Sequence, residues 1–511
     1  MAFISGYPDV YKKLIVKSLL LTVLLMAAMP LLRGNNIDVT NVSLGERDPV
    51  LHQRTITFDV NWENSWRISG GAGNYDAAWV FVKFRTSEGP WHHATLVGTG
   101  TVPVGTAVDV TADGVGTFVY RSEVGSGNVS HSGIEVVWDY GSDGLADSEP
   151  VMIEVFAIEM VYVPAGAYSL GSGDGTGGQF FTYDMLNPTA FEPYTVESEN
   201  AITMGTLNGN LFFVDGPTAA SLFGTLGADF PKGYAGFYSM KYEVSQQQYV
   251  RFLNHQPEAN RSLLDLTGLG ALCPTLSLFR NTFCYTGSGQ ATTNHPYLPI
   301  SYLSTQHMAA YLDWTGLRPM TELEYEKACR GTEAPVAGEF AWGTNQINTD
   351  PYEVGNQNGA DENVQNADAL PDTQGNGLFL LNRLYLGGGL LDGPVRLGAF
   401  AASGTRYTRV SSGGSYYGIM ELSGNLSEVV VSVNNLAGQS FAGDHGDGEL
   451  DESSLSDIIG WALGNIGYGT RGGGFSSPLP RHLRVSNREG TVIGYSISEL
   501  SGFRGVRTYP N

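Results

Sequence analysis

A chain of 511 residues with 42% hydrophobic side chains exceeds one ordinary domain and has ample material for buried cores. Only 15% of residues are charged and 67 are glycine, about twice the usual share, which points to short strands and many turns rather than disorder. A net charge of −23 and a pI near 4.7 exclude nucleic acid and anionic membrane as natural partners.

In chain order, Lys12, Lys13 and Lys17 precede an apolar run from Ser18 to Leu32. The run is shorter than the ~20 residues a membrane helix needs and has the form of a secretory signal peptide, with a retained anchor as the other reading. Residues 1–34 are assigned to it, and the protein is expected outside the cell or at its surface. No later segment reads as a membrane span.

Residues 35–150 read as short strands divided by Gly, Asp and Ser: 37–44, 54–62, 77–85, 92–98, 116–122 and 133–141. Alternation is clear in Thr55-Ile56-Thr57-Phe58-Asp59-Val60-Asn61-Trp62. Repeated strands of this kind predict an antiparallel β-sandwich of immunoglobulin-like type, serving as spacer or adhesion module. His92 and His93 are the one ligand-like pair there. Neighbouring strand residues point to opposite faces, so a shared metal is not expected.

The segment 150–166 joins this module to a second domain, 151–511. A Gly-, Thr- and Asn-rich insertion runs to about Asp229 and looks too polar for a core of its own. Two amphipathic helices are predicted. One covers 243–254, with Ser245 near its start; the other covers 304–316, with Ser304 or Thr305 as cap and Gly316 as stop. After Arg330 the chain is loop-rich, with short strands expected near 407–410, 468–475, 483–487 and 503–508.

The chain has three cysteines, Cys273, Cys284 and Cys329. Cys273 and Cys284 bracket a short polar and aromatic loop and can pair in an oxidising compartment, while Cys329 reads as a small buried hydrophobe. Their spacing matches no zinc motif.

Seven segments then fall in a recognisable order: "MVYVPAGAYSLG" (160–171), "FYSMKYEVSQQQYVRFLN" (237–254), "LPISYLSTQHMAAYLDWTGLRPMTELEYEKACRG" (298–331), "FAWG" (340–343), "YYGIMELSGNLSE" (416–428), "RGGGF" (471–475) and "GFRGVR" (502–507). In this order they resemble the formylglycine-generating-enzyme, or sulfatase-modifying factor, family over residues 157–511. The resemblance implies an irregular α+β domain related to C-type lectins. The whole chain is thus expected to be α+β, a β-sandwich followed by that domain.

What the resemblance implies for the sites is specific. A calcium ion would lie on "ELSGNLSE", held by the Glu421 and Glu428 side chains and the Gly424 and Leu426 carbonyls; oxygen ligands gathered by a glycine-containing turn suit calcium. The other reading is two surface glutamates with Asn425 at a turn. Two further acidic stretches, 356–372 and 443–452, suggest calcium without an assignable ligand set, and the second reads as a solvated loop. Gly472, Gly473 and Gly502 are expected to permit close backbone approach, and Arg504 and Arg507 to tie loops through carbonyls and carboxylates.

The family's oxidases use a cysteine pair that holds copper, and a related branch uses a histidine-bound iron. The matching stretch here, Gly474-Phe475-Ser476-Ser477-Pro478-Leu479-Pro480-Arg481, has no thiol, and the nine histidines are scattered, so neither copper nor iron is expected. The expectation is a secreted or cell-surface, non-catalytic protein that binds an extracellular protein or glycan, or assembles with itself into a filament or surface layer. An oxidoreductase using other residues and a calcium-dependent glycan binder are the alternatives.

Overall fold

The computed structural model describes residues 36–509 apart from 88, 214–222, 267–278, 368–369, 372, 402–407, 463 and 492–493. The expected signal peptide and Cys273 lie outside the described residues. Strands come first: β1 (Asp38–Asp48), β2 (Gln53–Arg67), β3 (Asp76–Thr86), β4 (His92–His93), β5 (Leu96–Thr99), β6 (Thr106–Val110), β7 (Thr117–Arg121), β8 (Gly125–Trp138) and β9 (Val151–Val163). They are followed by β10 (Phe237–Met240), and helices α1 (Gln246–His255), α2 (Thr305–Trp314) and α3 (Glu322–Arg330). Strand β11 (Arg318–Pro319) lies between α2 and α3, and β12 (Ser427–Val431), β13 (Tyr468–Arg471), β14 (Ser501–Gly502) and β15 (Gly505–Thr508) close the chain. The molecule is mostly sheet with few helices.

One sheet has the order β1-β2-β8-β5 and is antiparallel throughout. A second runs β11-β15-β10-β9-β3-β7-β6, with β4 paired to β3. The alternation read in β2 sends Ile56, Phe58, Val60 and Trp62 into a core shared with Ala78, Val80, Val82 and Phe84 of the second sheet. The other face of β3, carrying Ala77, Trp79 and Phe81, enters a different core with α1 and α2. Strand β3 is therefore apolar on both faces, as expected of a strand covered twice.

Strand β9 belongs to both halves of the molecule. It pairs with β3 from Val151 to Val161 and with β10 from Met160 to Val163. One sheet thus holds strands from both sides of residue 150.

Some local expectations give way to others. The single strand expected over 92–98 is two: β4 lies in one sheet and β5 in the other, with the Ala94 amide bonded to Val82 O and the Leu96 amide to Gly114 O. Near 407–410, the described residues Arg409–Ser412 form a helical turn capped by Thr408, and residues before 408 lie outside the description. The segment Pro480–Leu483 is a 3₁₀ turn and no strand follows over 483–487, since Pro480 fixes φ and lacks an amide for a ladder.

Each of the three helices starts with a reciprocal cap: Ser245 with Gln248, Ser304 with His307, and Thr321 with Glu324. The insertion forms a small sheet from residues 180–182, 202–204, 211–213 and 224–226. Phe180, Met204, Leu211 and Phe213 from it join the core of α1 and α2. No described helix is long and apolar enough to cross a membrane.

Candidate functional site

The loop before β12 gathers a buried electrostatic centre. Glu421, Gly424 and Asn425 all have positive φ, at 56°, 98° and 66°, which folds the loop tightly. A Cβ on Gly424 would lie 2.6 Å from the Leu378 amide nitrogen, so only glycine fits. The Gly424 amide donates to Gly472 O at 2.9 Å, and a Cβ on Gly472 would lie 2.5 Å from Leu422 O. Gly473 backs onto Leu483 and Gly502 onto the Leu426 side chain.

Side chains complete the frame. Asn425 accepts from the Val395 amide at 2.9 Å and donates to Glu243 Oε2 at 2.9 Å. The Leu426 amide donates to Glu243 Oε1 at 3.0 Å. Arg504 Nε donates to Glu428 Oε1 at 2.7 Å, and the same guanidinium reaches the carbonyls of Met240, Lys241 and Met420 at 3.0–3.2 Å. Glu421 Oε1 accepts from the Gly398 amide at 2.9 Å.

Three carboxylates thus share a buried region in which Arg504 pairs with Glu428 and Arg396 also acts on Glu421. Burial pushes Glu421 up to about 7, and raises Glu428 and Glu243 as well, with Glu428 adding to the rise at Glu243. Glu421 Oε2 and Glu428 Oε2 have no hydrogen-bond partner. Buried, partly unpaired carboxylates are costly unless protonated or met by a cation. Their oxygen chemistry fits a hard divalent ion, with Glu421 and Glu428 as the side-chain donors. No group of three or more His, Cys, Asp or Glu among the described residues is arranged to hold a metal. The glutamates are interior, so the surface reading of this loop does not hold. Sequence reasoning missed Glu243, although it stands at the acidic start of the α1 segment that the resemblance marked.

In the basic stretch 481–488, Arg488 is a buried structural anchor while Arg481 lies at the surface. Arg488 donates to Glu322 Oε2 and Oε1 at 2.8 and 2.9 Å, with its guanidinium 4.0 Å from the ring centres of both Phe180 and Phe213. Arg471 meets Glu322 at 2.8 Å and Glu326 at 2.6 Å. These pairs fasten β13, α3 and the insertion together. Arg507 bonds Gly316 O and Asp113 and lies 4.6 Å from the Trp79 ring, tying the last strand to the N-terminal sheets.

In the stretch 474–481, Ser477 Oγ accepts from the Gly474 amide at 2.9 Å. Cys329 is fully buried, and burial pushes its thiol up to about 12. Cys284 is disulfide-bonded. His92 faces Glu449 at 3.4 Å while His93 turns inward to Val115 O at 2.5 Å. The stretch 443–452 is packed rather than solvated over its first part: the Gly446 amide bonds Leu317 O, and the Asp447 amide bonds Asp313. In the stretch 356–372, the described Glu362 is spent on Arg280 and the Arg396 amide.

No curated protein matches the chain. Residues 227–509, more than half of it, match the model of the sulfatase-modifying factor enzyme 1-like domain, a span that contains α1 to α3, the 421–428 loop, the glycine run and Arg504. The chain belongs to that family.

Proposed function

We propose that this is an exported, non-catalytic member of the family, whose domain serves as a binding or assembly surface outside the cell. One observation carries the reading: where the oxidases have their cysteine pair, this chain has Ser476, Ser477 and two prolines. Serine cannot replace a thiolate in binding Cu(I) or in exchange with a substrate thiol. The other thiols described offer no substitute, since Cys329 is sealed in the core and Cys284 is bridged. A disulfide also suits an oxidising compartment.

On this reading the paired N-terminal sheets are an immunoglobulin-like spacer, and calcium at Glu421 and Glu428 is a structural ion that firms the loop. The partner is another copy of the chain, as in a filament or surface layer, or an extracellular protein or glycan. A calcium-dependent glycan binder is the second reading. Size exclusion and negative-stain imaging of the secreted protein test the assembly part. A uniform monomer at all concentrations would restrict the role to binding.

A further inference from the structure

A cavity of about 590 Å³ lies on the seam between the N-terminal sheets and the family domain. Its walls come from both sides. Trp66, at the end of β2, lies so close to Gly418 that a Cβ there would be 2.8 Å from the indole. Asn74 Nδ2 donates to Tyr417 O at 2.7 Å and fixes the same seam. Tyr242 and Tyr416 add further aromatic surface.

The charge of this hollow is unusual for the chain. Among the described residues no carboxylate lines it, although the molecule carries −23. Of the two cations among its described lining residues, Lys241 is spent on Glu159 and Asp76, at 3.0 and 3.4 Å. Arg409 is in no ion pair with a described residue. Its Nη2 donates to Ala341 O at 2.8 Å and Cys329 O at 3.2 Å, its Cζ lies 5.5 Å from the Tyr416 ring centre, and Gly343 packs against it, since a Cβ there would lie 2.8 Å from Nη1. Among the described residues no carboxylate pairs with it, and its Nε has no hydrogen-bond partner. Burial disfavours its charged form and Glu339 and Glu333 offset this only in part, so an incoming anion would relieve the remaining cost.

An aromatic hollow of this volume with one guanidinium outside any ion pair suits a ring compound bearing one carboxylate. Pyranose C–H faces pack on aromatic rings, and a guanidinium N–H donates to a carboxylate oxygen. A polyanion would need more cations than the described lining offers, and the chain's net charge would repel it. We propose that the cavity binds a sugar acid of the uronic class, its ring against Trp66 and Tyr416 and its carboxylate on Arg409. This deepens the reading of the chain as a binding protein and rests on it.

The test titrates the full secreted chain with digalacturonic acid, with its neutral counterpart galactobiose, and with sulfate, read by tryptophan fluorescence and calorimetry. The acidic disaccharide should bind about tenfold or more tightly than the neutral one, the worth of one charge-assisted hydrogen bond. Arg409→Gln should remove that preference and leave weak neutral-sugar binding. Arg409→Lys, which keeps the charge, should restore part of it. Equal affinity for the two sugars, a preference that survives in Arg409→Gln, or sulfate competing as well as the uronate would each overturn the proposal. If neither sugar binds to a protein that still runs as an oligomer, only this proposal falls; if the protein makes formylglycine, the reading beneath it falls.

Discussion

Arg504 Nε meets Glu428 Oε1 at 2.7 Å where neither side chain reaches solvent. Glu428 is therefore bound to the fold by an ion pair whether or not calcium is present, whereas Glu421 has only the Gly398 amide. The two glutamates should separate in experiment. Calcium at a hundredfold excess over Kd adds about 2.7 kcal/mol if it binds only the native state, and a chelator should lower the melting point by several degrees. Glu421→Gln should abolish most of that difference. Glu428→Gln should lower the melting point with or without calcium, because it leaves Arg504 buried beside a neutral amide. A wild-type melting curve unmoved by chelator would remove calcium from the loop.

The same centre should make calcium-free protein sensitive to pH. Burial lifts Glu421 from 4.5 to about 7, so the folded state holds a proton that the unfolded state releases earlier. Its contribution is fully present below pH 4.5 and is lost as the pH rises through about 7, a change of about 3 kcal/mol for a group this buried. Melting in chelator at about pH 5 and about pH 8 should show the loss, with Glu421→Gln reducing it. An identical pH slope in the variant would contradict the assignment.

Glu322 stands between two buried guanidiniums, those of Arg471 and Arg488. Glu322→Gln should cost about 3–5 kcal/mol, seen as a fall in the urea midpoint, because both arginines lose their shared countercharge. A loss under about 1 kcal/mol would mean that stacking on Phe180 and Phe213, not the carboxylate, holds Arg488.

The purified protein should not convert a cysteine-containing sulfatase peptide to formylglycine, with or without copper. Mass spectrometry is decisive here, since appearance of the aldehyde would make the chain an enzyme.

Alkylation of the exported protein under denaturing, non-reducing conditions should label Cys329 alone if Cys273 and Cys284 pair. Labelling at all three cysteines would show that they do not.

The legible parts of this chain are those where one side chain type repeats on one face. The alternation of Ile56, Phe58, Val60 and Trp62 marks β2, and Ser245 and Ser304 mark the starts of α1 and α2. Helix α3 shows no apolar stripe because all nine of its residues are buried, including Glu324 and Arg330, which pair with the nearby Arg318 and Glu339, and Glu322 and Glu326, which pair with Arg471, 149 and 145 residues away. Charged residues in an interior look like a solvated face until their partners are known. For the same reason Glu243 was invisible as part of the 421–428 centre: its two contacts there lie 182 and 183 residues away. The motif order identified the family domain, but Arg409 and the seam cavity depend on how two regions meet.

Strand β9 also gives the molecule a mechanical character. Its ladder with β3 runs through consecutive pairs from Thr86↔Val151 to Asp76↔Val161, and its far end is already bonded to β10. The halves cannot swing about a hinge at residue 150, because any rotation there would have to rupture a row of backbone hydrogen bonds together. A pull on either half is carried straight into the other through one sheet, so the two halves are held at a set separation.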